Sequence, residues 1–167
     1  MVFMQQVLLD KVVVNMGVGA EPDEMKKAQQ IIQLVTGKKA AQRLCVARIP
    51  DWGLRPGVPI GLVVTLRGND AVEFLKKALV AKMNKIPAKS FDRTGNFGFG
   101  VREYIDLPGA KYDPKLGIKG FDVLVSLKKK GYRVKLRKLK QTRVGKKQRV
   151  TTQEAIEFAQ SVGAIVE

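Results

Sequence analysis

The chain has 167 residues, of which 45% are hydrophobic, and a formal net charge of +16. This size and apolar content predict one folded domain over residues 1–167 and exclude a disordered chain. No apolar run approaches the ~20 residues that a membrane-spanning helix needs, and Asp10 and Lys11 interrupt the apolar stretch where a signal peptide would lie. We therefore expect a soluble, cytoplasmic protein with no membrane partner.

The residue types exclude several kinds of site. The chain has one cysteine, Cys45, and no histidine. A lone cysteine cannot form an internal disulfide, and zinc sites built from cysteine and histidine are ruled out, as is histidine-based acid–base catalysis. We predict no catalytic residue, metal, cofactor or small-molecule substrate, and we interpret Cys45 as a small core residue in a strand.

The positive charge is concentrated in residues 128–149, which we predict to be a loop and call the basic segment. It holds twelve of the 31 lysine and arginine residues and none of the 15 acidic residues. The other 145 residues carry 19 basic and 15 acidic groups, a net charge of only +4. Because such a segment repels itself, it indicates a polyanionic partner. The alternative, a segment that only improves solubility, would need far less charge.

The first predicted elements are a strand and a helix. Residues 7–19 are predicted as a strand, with Val12, Val14, Met16 and Val18 on one face and Val13, Asn15 and Gly17 on the other. A helix with an apolar stripe then begins at Pro22, since proline fits the first helical turn. Gly37 is expected to end this helix in a left-handed conformation.

A second strand is predicted over residues 39–47, and an irregular segment follows over residues 48–59. Three prolines and two glycines exclude a regular element there. The segment holds the only tryptophan, Trp52, between Arg48 and Arg55. Such a tryptophan suggests stacking on RNA or on a protein, and the alternative is that it folds back onto the core.

A third strand is predicted over residues 60–67, and a second helix follows it to about Lys82. The pattern Asp70-x-x-Glu73 predicts a capping box at the start of that helix. The apolar spacing places Val72, Leu75 and Leu79, with Phe74 and Ala78, on its buried side.

Residues 90–104 form an unusual stretch, a turn that leads into a strand. Turn residues occupy 92–96, and the strand then alternates between two faces. One face has Phe97, Phe99 and Val101, and the other has Gly98, Gly100 and Arg102. Glycine weakens a strand, so this run indicates close approach of another backbone or a ligand; a glycine needed for packing or twist is the alternative.

The last predicted elements lie around the basic segment. A strand over residues 121–128 precedes it. A second capping box, Thr151-x-x-Glu154, follows it and starts a short helix that ends near Gly163.

In each clear strand, one face is apolar and the other carries small or polar residues. The second set comprises Asn15, Gly17, Thr65, Arg67, Gly98, Gly100, Arg102, Ser126 and Lys128. If these strands share one sheet, helices cover the apolar face. The other face is then open, glycine-lined and basic, and it can lie against a phosphate backbone.

Three functions were compared with these patterns. A structural RNA-binding protein fits the basic segment and the open face. An enzyme does not, because the carboxylates lie at turns and helix starts, where capping explains them. A reader of single-stranded RNA of the RRM type needs an uninterrupted Gly-Phe-Gly-Phe-Val signature, which Asn96 and Gly100 interrupt here.

Several sequence blocks, in the same order, carry a family resemblance. They are residues 11–19, 36–38, 59–61 with 64–68, 90–92 with 95–100, 111–114 with 117–118, and the basic segment. On these blocks the chain resembles the L-five family of large-subunit ribosomal proteins that bind 5S rRNA, in its archaeal and eukaryotic form. The blocks cover nearly the whole chain, and together they are specific.

The resemblance implies an α+β fold, with a single antiparallel sheet whose helices pack on one face and whose other face is open and basic. It implies a non-enzymatic role in the large ribosomal subunit, where the protein attaches 5S rRNA to the central protuberance. The implied partners are 5S rRNA, large-subunit rRNA, P-site tRNA and a bridge protein of the small subunit.

Together, the resemblance and the alternation of the strands predict three groups of contact residues. The 5S rRNA group comprises Asn15, Gly17, Lys38, Thr65, Arg67, Gly98, Gly100 and Arg102. The group that reaches tRNA and the small-subunit bridge comprises Arg48, Trp52 and Arg55. The basic RNA-contacting group comprises Lys128, Lys129, Lys130, Arg133, Lys135, Arg137, Lys138, Lys140, Arg143, Lys146, Lys147 and Arg149. Where the family often has Gly-Gln-Lys-Pro, this chain has Gly37-Lys38-Lys39-Ala40, so a phosphate contact is expected at Lys38.

Overall fold

The structure, a computed structural model, describes residues 5–167. It is an α+β protein. The strands are β1 (Val7–Gly17), β2 (Ala41–Leu44), β3 (Pro59–Leu66), β4 (Lys85–Ile86), β5 (Phe97–Val101), β6 (Phe121–Lys129) and β7 (Ile165–Val166). The helices are α1 (Pro22–Thr36), α2 (Asn69–Ala81), α3 (Arg133–Leu136) and α4 (Thr152–Val162). None of the helices within residues 5–167 combines the length and apolar character of a membrane span.

Five of the strands form an open, mostly antiparallel sheet in the order β2-β3-β1-β6-β5. The predicted fold class is therefore confirmed. A second sheet, which the sequence did not predict, pairs β4 with β7 in parallel. Two-residue strands are too short to show any periodicity, so no local pattern marked them.

The residues divide into two compact units that interleave along the chain. We call Val13–Leu66 with Gly100–Val123 the Trp52 unit. Residues 5–12, with Arg67–Phe99 and Leu124–Glu167, form the basic unit, which contains the basic segment.

The core of the Trp52 unit lies between α1 and the even-numbered side chains of β1 and β3. The buried residues are Met25, Ala28, Ile31 and Ile32 of α1, Val14 and Met16 of β1, and Leu62, Val64 and Leu66 of β3. The helix ends as predicted at Gly37, whose φ is +68° and whose N–H donates to the Gln33 carbonyl at 2.8 Å. Apolar periodicity and a glycine cap therefore define this helix.

An ion pair joins the start of α1 to the chain ahead of β6 in the same unit. Lys119 and Lys27 both contact the Glu24 carboxylate, and the Lys27 Nζ to Oε1 distance is 2.9 Å. Their hydrogen bonds, that from Lys119 foremost, lower the pKa of Glu24 from 4.5 to about 2. The pair stabilises the folded state while Glu24 is ionised.

The second strand and Cys45 differ in detail from the prediction. β2 spans four exposed residues, shorter than the nine predicted, and it pairs antiparallel with β3. Cys45 lies just beyond the strand, not within it, but it is buried as expected. Its backbone N–H donates to the Val58 carbonyl at 2.8 Å, which continues the pairing of β2 with the chain before β3, and its Sγ donates to the Ala47 carbonyl at 2.9 Å.

In the basic unit, α2 begins earlier than the sequence predicted. Gly68, with φ +65°, occupies the N-cap position and makes no side-chain cap. Asp70 therefore lies within the first turn, and the capping box predicted with Glu73 is wrong. The predicted burial of Val72 is also wrong, since the residue is 37% exposed, whereas Phe74, Leu75, Ala78 and Leu79 are buried as predicted.

The capping box predicted for α4 is confirmed. The Glu154 backbone N–H donates to Thr151 Oγ1 at 3.4 Å, and the Thr151 N–H donates to Glu154 Oε2 at 3.0 Å. Gly163 ends the helix with φ +108°. The chain then forms β7 beside β4, and the Glu167 N–H donates to the Ile86 carbonyl at 3.1 Å.

Candidate nucleic-acid interface

The alternation predicted for the strands is present in the structure. One side chain in two is buried along these strands, as at Val14, Met16, Leu66, Val101 and Val123. The neighbours of these residues within each strand point away from the core. In the Trp52 unit the polar and glycine members of this second set are Asn15, which is half-buried, and Gly17, Thr65, Gly100, Arg102 and Asp122, which are exposed. A polar strip with one arginine and one aspartate, which we call the open strip, therefore lies on the face of the sheet that no core side chain occupies.

Two glycines of this strip have open space outside them. A Cβ atom added at Gly17 would meet nothing within 4 Å, and one at Gly100 would lie 3.5 Å from Asp122 Oδ1, an ordinary contact. Neither glycine has a positive φ. Neither packing nor backbone strain within the described residues therefore requires glycine at these two positions. Close approach of a ligand is the remaining explanation for the glycines, and it can be tested.

Other glycines of the same unit have an internal role. A Cβ at Gly61 would lie 2.9 Å from the Met16 carbonyl oxygen, and one at Gly120 would lie 2.5 Å from that of Arg102. Glycine at these two positions allows two segments of backbone to pack closely. They are structural and do not belong to the interface.

Trp52 is presented at the tip of a small closed loop. Ile49 and Leu54 exchange two backbone hydrogen bonds of 3.0 Å, which close the loop. Pro50–Trp52 forms a single 3-10 turn, and Gly53 follows it with φ +64°. Trp52 is 73% exposed, so the alternative that it folds back onto the core is wrong. Arg48 and Arg55 are also exposed beside it.

Lys38 lies directly after the glycine cap of α1. The residue is exposed, and its backbone N–H donates to Thr36 Oγ1 at 3.3 Å. The helix end thus places this cation at the surface of the Trp52 unit.

In the basic unit, one carboxylate is shared by two of the predicted RNA contacts. Asp10 Oδ1 of β1 lies 2.8 Å from Lys128 Nζ on β6 and 3.4 Å from an Arg67 guanidinium nitrogen just after β3. The Asp10 side chain is only 17% exposed. The three groups together carry a single net positive charge, so Arg67 and Lys128 attract phosphate less than two free cations would. Gly98 of the same unit is half-buried on β5.

Lys129 differs from the other cations of the basic segment because it is buried. It is 4% exposed, and its Nζ lies 2.7 Å from Glu154 Oε1. Partial burial alone would raise the pKa of the Glu154 carboxyl, but hydrogen bonds from Lys129 and the Thr151 backbone outweigh this and lower the pKa. Lys129 therefore anchors α4 to β6, and we leave it out of the interface.

The rest of the basic segment is folded and largely exposed, although it was predicted as a loop. It contains α3 and a 3-10 turn over Lys146–Gln148. The Gln148 side-chain amide donates to the Lys130 carbonyl at 2.8 Å, which joins the two ends of the segment. The exposed cations are Arg133, Lys135, Arg137, Lys138, Lys140, Arg143, Lys146, Lys147 and Arg149, and Lys130 is half-buried.

The carboxylates of residues 5–167 form no candidate metal centre. No group of three or more cysteine, aspartate or glutamate side chains is placed to hold an ion there. Asp92 is the turn residue that the sequence indicated, since its carboxylate accepts hydrogen bonds of 2.6 Å from Thr94 Oγ1 and the Arg93 N–H. Those bonds, that from Thr94 foremost, lower the pKa of Asp92.

Family comparisons agree with the resemblance seen in the sequence blocks. The model of ribosomal protein L5 matches residues 3–55, and the model of the C-terminus of the same ribosomal family matches residues 59–158. The chain belongs to the ribosomal protein L5 family. This family consists of structural proteins that are not enzymes, which confirms the predicted family and the predicted absence of catalysis.

Archaeal members of the L5 family are similar over nearly their whole length. The large ribosomal subunit protein uL5 of Pyrobaculum aerophilum is 49% identical over 159 residues, which are 95% of this chain and 89% of the relative. The uL5 of Archaeoglobus fulgidus is 45% identical over 98% of this chain and 92% of its own length. That of Nanoarchaeum equitans is 42% identical over 94% and 93%.

Sequence reasoning missed the carboxylates that position the cations of this L5-family chain. Asp10 had been considered only as a charge that interrupts an apolar stretch, and its pairing depends on the order of β3, β1 and β6 in the sheet. The capping box identified Glu154, but not its ion pair with Lys129, which lies 25 residues away. Both pairings join residues that are distant in the sequence, so no local spacing of residues predicts them.

Proposed function

We propose that this L5-family protein is a structural constituent of the large ribosomal subunit that binds 5S rRNA and attaches it to the central protuberance. The observation that carries the proposal is the basic segment, which presents nine exposed cations and contains no acidic residue. The names of the archaeal relatives, which are large ribosomal subunit proteins, support it.

The open strip of the Trp52 unit is the proposed 5S rRNA surface. Asn15 and Thr65 can hydrogen-bond to sugar or phosphate, and Lys38 and Arg102 can pair with phosphate. Gly17 and Gly100 leave room for the RNA backbone to approach the sheet. In the basic unit, Arg67 and Gly98 extend the set of proposed contacts.

The basic segment and the Trp52 loop are proposed to have different partners. The segment, without Lys129, contacts ribosomal RNA, both 5S rRNA and large-subunit rRNA, through phosphates. The loop with Arg48, Trp52 and Arg55 reaches P-site tRNA and the small-subunit bridge protein by stacking and charge. Trp52→Ala tests the loop: binding of tRNA to the P site should weaken and 5S rRNA binding should not, and unchanged tRNA binding would remove this part of the proposal.

Direct binding to 5S rRNA is the central experiment. Titration at about 0.15 M salt should give a nanomolar Kd for 5S rRNA and a much weaker one for an unrelated structured RNA of equal length. Equal affinities for the two RNAs would refute specific binding.

A pair of variants tests the open strip with matched charge loss. Arg102→Gln removes an exposed cation of the strip, whereas Lys76→Gln removes an exposed cation from α2. We expect Arg102→Gln to weaken 5S rRNA binding about tenfold, because a phosphate pair is lost, and Lys76→Gln to have little effect. Equal small effects from both would place the RNA elsewhere.

A further inference from the structure

The basic unit contains a cavity that the open strip does not explain. Its volume is about 650 Å³, within the range of ligand-binding clefts. The turn at Thr94 and Asn96, the end of β6 and the basic segment form its walls. All of its lining residues belong to the basic unit.

The electrostatics of the cavity favour an anion. Five cations line it and no acidic residue does. Lys128 and Lys129 are already paired with the carboxylates of Asp10 and Glu154. Lys135, Arg143 and Arg149 have no carboxylate partner within residues 5–167, so the cavity carries an unbalanced positive charge.

The other lining groups suit a nucleobase. Tyr132 supplies an aromatic ring, and Lys135 Nζ lies 5.3 Å from the centre of that ring. Asn96 and Gln141 supply amides, which can donate to and accept from the edge of a base. Aromatic ring, amides and cations together provide for stacking, edge recognition and phosphate pairing.

The cavity is built into the fold. Gly95, with φ +76°, packs its backbone against Val150, since an added Cβ would lie 2.5 Å from Val150 Cγ1. On the other wall, the Thr142 N–H donates to the Val134 carbonyl at 3.3 Å, and the Gln141 side chain donates to the Lys135 carbonyl. Because the cavity is preformed, a ligand can bind to it without the full entropic cost of ordering a loop.

We propose that this cavity receives one unpaired nucleotide extruded from an RNA. The base would stack on Tyr132 and bond to the amides, while its phosphates pair with Arg143, Arg149 and Lys135. An unpaired nucleotide is required because the base edges of a paired one face its partner. The inference rests on the proposed RNA-binding function. It adds a site for one nucleotide to a surface that otherwise contacts RNA through phosphates.

Two short RNA hairpins test this inference, one with a single bulged adenosine and one without it. At about 0.15 M salt, the protein should bind the bulged hairpin about tenfold more tightly, the effect of one base–aromatic stack. A fluorescent adenine analogue at the bulge should change its emission on binding. Equal affinities, with 5S rRNA binding retained, would overturn the cavity site alone, and failure to bind any of these RNAs would overturn the proposed function as well.

Two double variants with equal charge loss separate the cavity from general electrostatics. Arg143→Gln with Arg149→Gln should reduce the preference for the bulge to about one, because the phosphate partners are lost. Lys138→Gln with Lys147→Gln, outside the cavity, should weaken both hairpins alike and keep the preference. Circular dichroism melts verify that both variants fold, and a preference that survives in the first variant contradicts the inference.

A free nucleotide is the other source of the same chemistry. Adenosine 5′-monophosphate should displace the bulged hairpin only weakly, because it lacks the flanking phosphates that the RNA offers. Displacement at micromolar concentration would assign the cavity to free nucleotides and overturn the RNA assignment.

Discussion

At the scale of single residues, the glycines separate into those that the fold requires and those that it does not. Gly61, Gly95 and Gly120 each lie where a side chain would overlap a neighbour. A side chain at Gly17 would meet open space, and one at Gly100 would make only an ordinary contact with Asp122. The sequence singled out Gly17, Gly98 and Gly100 in strands, but only the positions of neighbouring atoms in the structure show which glycines the fold requires.

Gly95→Ala tests the required class. The change combines a positive φ of +76° with a clash against Val150, so we expect a loss of about 3 kcal/mol of folding free energy. The measurement is urea denaturation. Gly37→Ala is the matched control, since its φ is +68° with nothing within 4 Å, and it should cost about 1 kcal/mol. Equal losses would show that the contact with Val150 adds nothing.

Much of the residue-level arrangement was predictable because it depends on local alternation. The period of two residues correctly separated Phe97 and Phe99 from Gly100, and Thr65 from Leu66. The exposure of Trp52 was not predictable, because both alternatives fitted the same residues. The pairing of Asp10 was missed because it depends on which strands flank β1.

At the scale of elements, ion pairs tie loops and helices to the sheet within each unit. In the Trp52 unit, Glu24 at the start of α1 binds Lys119 and Lys27. In the basic unit, Glu154 caps α4 and also binds Lys129. Each carboxylate thus stabilises a helix start and a more distant contact at once.

The Glu24 pairs predict acid sensitivity. Because its pKa is lowered from 4.5 to about 2, the contribution to stability is complete above pH 4.5 and is lost as the pH falls towards 2. Glu24→Gln should therefore reduce stability at neutral pH and flatten its decline over this range. The measurement is the melting temperature as a function of pH.

Glu157→Gln provides the comparison for Glu24→Gln. Glu157 is exposed on α4 and has no ion pair among the described residues. The melting temperature of the Glu157→Gln variant should fall from pH 4.5 to 2 by as much as that of the wild-type protein. A wild-type decline that Glu24→Gln leaves unaltered would mean that the pairs contribute nothing.

Element boundaries show where local patterns fail. The start of α1 and the capping box of α4 were predicted because their signals lie within four residues. For α2 the sequence predicted Asp70 as the N-cap residue. In the structure Gly68, with a positive φ, occupies the N-cap position, so the helix starts two residues earlier. The β4–β7 pair joins residues about eighty positions apart, and local patterns do not report such pairs.

At the scale of the whole molecule, the location of the positive charge matters more for RNA binding than the total net charge. The family and the α+β class were both predictable from the sequence. The strand order and the cavity were not, because each depends on contacts between distant segments.

The salt dependence of 5S rRNA binding measures this localisation. Lys138→Gln with Lys147→Gln removes two exposed cations of the basic segment, and Lys76→Gln with Lys77→Gln removes two from α2. A plot of log affinity against log salt should become shallower by about 1.5 for the first pair, since two phosphate contacts are lost. The second pair should leave the slope unchanged; equal changes would mean that only net charge matters.

The strand order also has a consequence for synthesis. β1 lies between β3 and β6, yet β3 begins at Pro59 and β6 only at Phe121. A nascent chain therefore makes the centre of its sheet first and must carry it with one unpaired edge until the last of the five strands is translated. Such late, long-range pairing slows folding and exposes an aggregation-prone edge. Shielding of that edge during translation is thus a requirement that the topology itself imposes.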